Sequence, residues 1–157
     1  MTHNQYIKLF SDFATNHLMI NGFGNGGKPE VTADSAVGTP TTTMWVINKE
    51  TSISGNVQSD KYLFLFGDIV NKDYTNLDEV ISDTKRIALD FLGTMFQDYY
   101  TAYFQIEQTG TLTPFEDEIY DNDMAGWEIE ITFKQDYLYD NCQVPISSNP
   151  TILTTSN

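Results

Sequence analysis

Glu116-Asp117-Glu118, with Asp121 and Asp123, form an acidic cluster in what reads as a loop. Carboxylate oxygens of this kind hold calcium or magnesium, although their spacing is not that of a calcium-binding helix-loop-helix and a run of charge is ordinarily a solvated face. To act as a catalytic pair, two of them would need burial and well separated pKa values. A small metal-dependent hydrolase using the 116–123 carboxylates is therefore one function to weigh. A second feature is Gly22-Phe23-Gly24-Asn25-Gly26-Gly27-Lys28-Pro29, a glycine and four residues ahead of Gly-Lys. A phosphate-binding loop needs Ser or Thr after the lysine to reach magnesium, and a strand before it. Pro29 takes that place and a helix precedes it, so the stretch reads as a flexible loop. His3 lies in a terminus and His17 near a helix end, which defines no triad, since geometry and not chain order makes one. Cys142, the only cysteine, fits a small buried side chain better than a nucleophile. No catalytic constellation emerges, and neither metal nor cofactor is expected. That favours a structural or assembly role, with a monomeric adaptor as a further alternative.

The elements that carry these residues are organised around 76–96. Leu77, Val80, Ile81, Thr84, Ile87, Ala88, Phe91, Leu92, Met95 and Phe96 recur at helical spacing, while Asp78, Glu79, Ser82, Asp83, Lys85, Arg86 and Asp90 fall opposite. Asn76 stands at the N-cap position, with Glu79 placed for a capping box. Such a helix spans roughly 30 Å, so a sheet must pack against it. A first helix is read over 4–20 from Tyr6, Ile7, Leu9, Phe10, Phe13, Ala14, His17 and Leu18, with Gly22 as its stop. Gly22 to Pro40 reads as a long loop. Met44–Ile47 reads as a buried strand, Thr51–Asp60 as a polar turn, and Lys61–Val70 as a strand apolar on both faces and hence central. Tyr99, Tyr100, Tyr103 and Phe104 either continue the long helix or turn into a strand; their rings cap the core or face a neighbour. Strand candidates follow near Tyr103–Gln108 and Leu112–Asp117. Trp127, Ile129, Ile131 and Phe133 alternate with Glu128, Glu130 and Thr132, the pattern of a strand with one buried face. Beyond Pro145 the chain is a polar tail without periodicity. The expectation is one α+β domain over 1–145, two main helices packed on one face of a largely antiparallel sheet, with an extended loop and a flexible C-terminal arm at 146–157.

At 157 residues the chain is long enough for a real core, and its 13% aromatic content is that of a globular protein. With 22 acidic against 8 basic residues its formal charge is −14. That argues against wrapping nucleic acid, which takes clustered Lys and Arg, yet suits a surface past which DNA slides without sticking. The start MTHNQYIKLF lacks the basic and apolar regions of a secretory signal. No segment approaches the ~20 apolar residues of a membrane span.

Several stretches resemble small neck and tail-completion proteins of tailed bacteriophages, particularly of phages infecting Bacteroidetes, including the crAss-like group. They are Asn21-Gly22-Phe23-Gly24 after the first helix, Met44-Trp45-Val46, Asp68-Ile69-Val70-Asn71-Lys72-Asp73 leading into Glu79-Val80-Ile81-Ser82-Asp83-Thr84, Ala125-Gly126-Trp127-Glu128-Ile129, and Tyr139-Asp140-Asn141-Cys142-Gln143-Val144-Pro145. The element order is also similar to that of the lambda-type tail terminator. The resemblance implies a virion protein at the head–tail junction, assembled in the host cytoplasm. It would be a homo-oligomeric ring of six or twelve copies beside the portal and adjacent neck or tail proteins, with genomic DNA crossing its channel without specific binding. On that view Phe23, Trp45, Tyr99, Tyr100, Tyr103, Trp127, Glu128 and Glu130 are candidate interface residues, and strands Lys61–Val70 and Trp127–Phe133 are expected to offer edges to neighbours.

Overall fold

The structure, a computed structural model, describes residues 1–27, 42–97, 103–107, 110–119 and 122–136, with side chains left out at 117–119 and 122–123. Among these residues are two helices and one six-stranded mixed sheet, antiparallel except at one edge. The expected tail at 146–157 lies outside them, as do Tyr99, Tyr100 and Cys142.

The first helix, α1 (His3–Asn16), starts where Thr2 and Gln5 form a capping box. The Gln5 backbone N–H donates to Thr2 Oγ1 at 3.3 Å and the Thr2 N–H to Gln5 Oε1 at 2.7 Å. Tyr6, Phe10 and Ala14, each four residues apart, form its buried stripe. It ends four residues before the expected Ile20, because His17 turns to an extended conformation while its N–H still reaches Phe13 O. Gly22 is accordingly not a helix stop. It opens β1 (Gly22–Asn25), a strand where a loop was expected, which pairs in parallel with β2 (Thr43–Ser54).

β2 runs past the expected Ile47 and joins β3 (Val57–Val70) in a hairpin that replaces the expected Thr51–Asp60 turn. The turn proper is Gly55-Asn56, with Gly55 at φ +58° and Asn56 at negative φ. That order, left-handed glycine first, matches the right-handed twist of the two strands. The outer half of β2 has no alternation to read because Lys49 to Ser54 are all exposed.

The second helix, α2 (Leu77–Met95), matches the sequence stripe, burying Val80, Thr84, Ile87, Ala88, Phe91 and Met95. Phe96 lies just beyond it and is 50% exposed. Asn76 does not cap it: its Oδ1 accepts from Asn71 N–H at 2.7 Å and its Nδ2 donates to Ile69 O at 3.2 Å, closing the preceding loop. Then come β4 (Gln105–Glu107), β5 (Thr113–Ile119) and β6 (Asn122–Asp136). β5 and β6 pair antiparallel, so Glu116, Asp117, Glu118 and Asp123 lie on strands and not in a loop, while Asp121 lies outside the described residues.

The strand order is β1-β2-β3-β6-β4, with β5 also on β6. β3 is central, as its apolar character on both faces demands. It pairs with β2 on one side and β6 on the other, and β6 is flanked by β3 and by β4 and β5. Neither strand expected to offer an edge has one free. Gly67 and Gly126 face each other across β3 and β6, and a Cβ on Gly126 would stand 1.9 Å from Phe66 O.

Along β3 the rings of Tyr62, Phe64 and Phe66 point to one face, with Val46 and Met44 on β2 and Ile129, Ile131 and Phe133 on β6. Both helices send aromatic side chains to that face. Phe10 of α1 meets Phe64 edge-on at 4.9 Å between centroids, Phe91 of α2 meets the same ring at 4.7 Å, and Phe10 and Phe91 lie 6.0 Å apart. Each ring buried there contributes about 1.5–3 kcal/mol through lost water contact, and favourable edge-to-face geometry adds about 0.5–1.5 kcal/mol per pair.

Candidate functional site

Because side chains alternate along a strand, the register that sends Phe64 to the helices sends Leu63 and Leu65 the other way. Across that second face run two rows. Gly24, Trp45, Leu65, Glu128 and Thr113 form one, and Ile47, Leu63 and Glu130 the next. No described helix or strand lies over them. Trp45, Ile47, Leu63 and Leu65 are nonetheless apolar and half-buried, so β2 and β3 are apolar on this side too, while β6 contributes Glu128 and Glu130 to it.

The Trp45 ring lies flat on Gly24, where a Cβ would stand 1.9 Å from the indole, and its Nε1–H donates to Gly27 O at 2.7 Å. Glycine at 24 is thus a seat for tryptophan, which explains a strand in a glycine-rich stretch. Gly110 N–H donates to Glu130 O at 3.0 Å, bringing 110–113 alongside β6. A recess of about 380 Å³ results, lined by Lys49, Leu63, Thr111, Glu128 and Glu130. Glu128 and Glu130 make no ion pair among the described residues. At the far end of the same sheet a second recess, about 440 Å³, is lined by Ser54, Ser59, Tyr103 and Lys134. Lys134 is engaged there by Glu107 at 2.6 Å.

The candidate interface residues divide between the two faces. Trp45, Glu128 and Glu130 come together on the open one. Phe23 and Trp127 lie on the helix side: Phe23 packs against the core, and Trp127 donates its Nε1–H to Ile81 O of α2 at 2.8 Å with Lys85 Nζ 5.0 Å from its ring centre. Tyr103 is 56% exposed beyond the end of α2. Sequence reading missed Ile47, Leu63, Leu65 and Lys49. The available signal was the apolar character of β3 at both parities, which calls for cover on two sides.

The remaining titratable cluster sits under the start of α1. Asp60, 4% exposed, accepts from Thr51 Oγ1 and Gln58 Nε2, both at 2.8 Å. Burial first, and the Asp60 charge second, push the Tyr6 and Tyr62 hydroxyls well above the usual tyrosine range, so both stay protonated at neutral pH. His3 Nδ1 lies 3.2 Å from Tyr62 Oη, while Tyr6 Oη is buried without a hydrogen-bond partner among the described residues. The Met1 ammonium donates to Gln135 Oε1, and its pKa is lowered by burial against the opposing pull of Asp60. His17 Nε2, 3.3 Å from Asp90 Oδ2, ties the end of α1 to α2.

Among the described residues no three His, Cys, Asp or Glu side chains converge as metal ligands. No described helix is long and apolar enough to cross a membrane. No protein-family model and no curated protein sequence matches the chain.

Proposed function

We propose that this chain is a non-enzymatic structural subunit that closes with copies of itself into a ring at the head–tail junction of a tailed phage. In this reading the ring has six or twelve copies and sits among the portal and adjacent neck or tail proteins. In the same reading its two helices and mixed sheet would serve as those of a tail terminator do. The observation that carries it is the open sheet face: Trp45, Ile47, Leu63 and Leu65 form an apolar field with no described element over it. An apolar sheet face is stable when another layer covers it. A self-assembling chain supplies that layer from its own copies. The formal charge of −14 suits a channel wall that DNA passes without adhering. The resemblance of the Met44-Trp45-Val46 and Ala125–Ile129 segments to neck and tail-completion proteins favours the same reading.

Electron microscopy of the purified protein, together with the copy number of this chain in intact particles, tests the proposal. Annular particles, and six or twelve copies per virion, are expected. A chain absent from particles, or recovered only in a one-to-one complex with another protein, overturns it.

A further inference from the structure

On the mostly polar outer side of α2, opposite the stripe it buries, two large apolar residues stand exposed in one line. Arg86, Leu89, Gly93 and Phe96 follow each other at spacings of three, four and three, which places them along one line of a helix. Leu89 is 51% exposed and Phe96 50%, and a Cβ on Gly93 would meet nothing within 4 Å. Arg86 is the only arginine in the chain; it is exposed and makes no ion pair among the described residues. Arg86 thus forms no ion pair among the described residues, although Asp83 and Asp90 flank it three residues before and four after on the same side, and Leu89 and Phe96 stand half exposed. The open sheet face has two carboxylates that form no ion pair among the described residues, Glu128 and Glu130, with Lys49 lining the same recess and the half-buried Leu63 and Leu65 beside them.

These two surfaces look away from each other. The inner stripe of α2, Phe91 above all, packs on Phe64 and Phe66, so its outer stripe and the Leu63–Leu65 side of the sheet bound the molecule on opposite sides. One copy cannot join them, and a two-fold pair cannot satisfy both. We infer that the outer stripe of α2 in one copy seats on the open sheet face of the next, with Arg86 reaching Glu128 and Glu130 and with Leu89 and Phe96 covering Leu63 and Leu65. The inference rests on the self-assembly proposed above and names its interface. Helix then covers sheet across every junction, as within a two-layer domain, and such a head-to-tail contact closes as a ring or runs on as a filament. Arginine and aromatic residues are the types enriched in interface cores, and a bidentate guanidinium–carboxylate contact also fixes register.

The test uses full-length chains with reversed charges, read by size-exclusion chromatography with light scattering. Arg86→Glu alone and Glu128→Arg with Glu130→Arg are each expected to abolish the assembled species, while circular dichroism stays that of the wild type. Mixing the two is expected to restore the wild-type mass with both chains in equal amounts, because in alternating copies each junction again pairs opposite charges. If a reversed chain does not fold, Arg86→Gln and Glu130→Gln replace it, each shifting the concentration at half-assembly upward by about tenfold, equivalent to about 1.4 kcal/mol. Variants that assemble like the wild type overturn this interface and leave the ring intact. Variants that dissociate but do not re-form on mixing overturn the pairing of stripe with sheet. A wild-type chain that never assembles removes the ring and this interface together.

Discussion

Replacing Tyr6 with phenylalanine should stabilise the protein. Tyr6 is fully buried, and its ring packs among Tyr62, Phe104 and Phe133 at centroid distances of 5.6, 5.9 and 5.4 Å. Phenylalanine keeps those contacts. What it removes is a hydroxyl taken out of water with no partner among the described residues in return, a burden of about 1–3 kcal/mol. Allowing for the small void left behind, Tyr6→Phe should gain about 1 kcal/mol at neutral pH. Urea denaturation would register a higher midpoint at unchanged slope, and the melting temperature would rise by about 2–4 °C. The same substitution has an alkaline signature. The folded state holds the Tyr6 and Tyr62 protons more tightly than the unfolded chain, because burial and then the Asp60 charge disfavour the phenolates. The stability this represents is complete below the ordinary tyrosine value of 10.0 and is lost as pH climbs above it. Each tyrosine contributes a slope of up to about 1.4 kcal/mol per pH unit there. The variant keeps only Tyr62, so its loss of stability above pH 10 should be roughly half as steep. A variant less stable than the wild type by 1 kcal/mol or more at neutral pH, or one with the full alkaline slope, would refute the reasoning.

Three further substitutions test the packing. Gly126→Ala forces a methyl into the space of Phe66 O and should destabilise by at least the 1–3 kcal/mol typical of overpacking, visible as a lower urea midpoint. Trp127→Phe removes the indole donor to Ile81 O and the seat of Lys85, and should lower stability by about 1–2 kcal/mol, measured the same way. Thr2→Ala opens the capping box of α1 and should cost about 1 kcal/mol, with faster hydrogen exchange confined to the first turn.

Where burial and period coincide, the sequence carries the fold plainly. The stripe of α2 and the alternation of Trp127 to Phe133 are legible because one side of each element meets the core and the other does not. The central place of β3 follows from apolar residues at both parities. The misses have separate physical causes. β1 is hidden because glycine there answers to the Trp45 ring and not to a turn. The outer half of the β2–β3 hairpin is exposed, so nothing in its polar composition marks a strand, and only Gly55-Asn56 betrays the reversal. Asn76 stands where a cap belongs but spends its amide on the 69–71 loop, whereas the capping box at Thr2 and Gln5 obeys the usual spacing. The apolar run of α1 stops at Asn16 although apolar residues continue, leaving Leu18 wholly exposed. Of the candidate surface, Trp45, Glu128 and Glu130 could be picked from the sequence. Their union with Leu63 and Leu65 is a matter of register between β2, β3 and β6, which no local pattern encodes.

The central claim, that this chain works by fitting against copies of itself, is tested most directly by the native mass of the purified full-length protein across a wide concentration range. The account predicts a closed species of six or twelve times 17.8 kDa, without a ladder of intermediates. A mass of 17.8 kDa at every concentration, with no larger species, would contradict it.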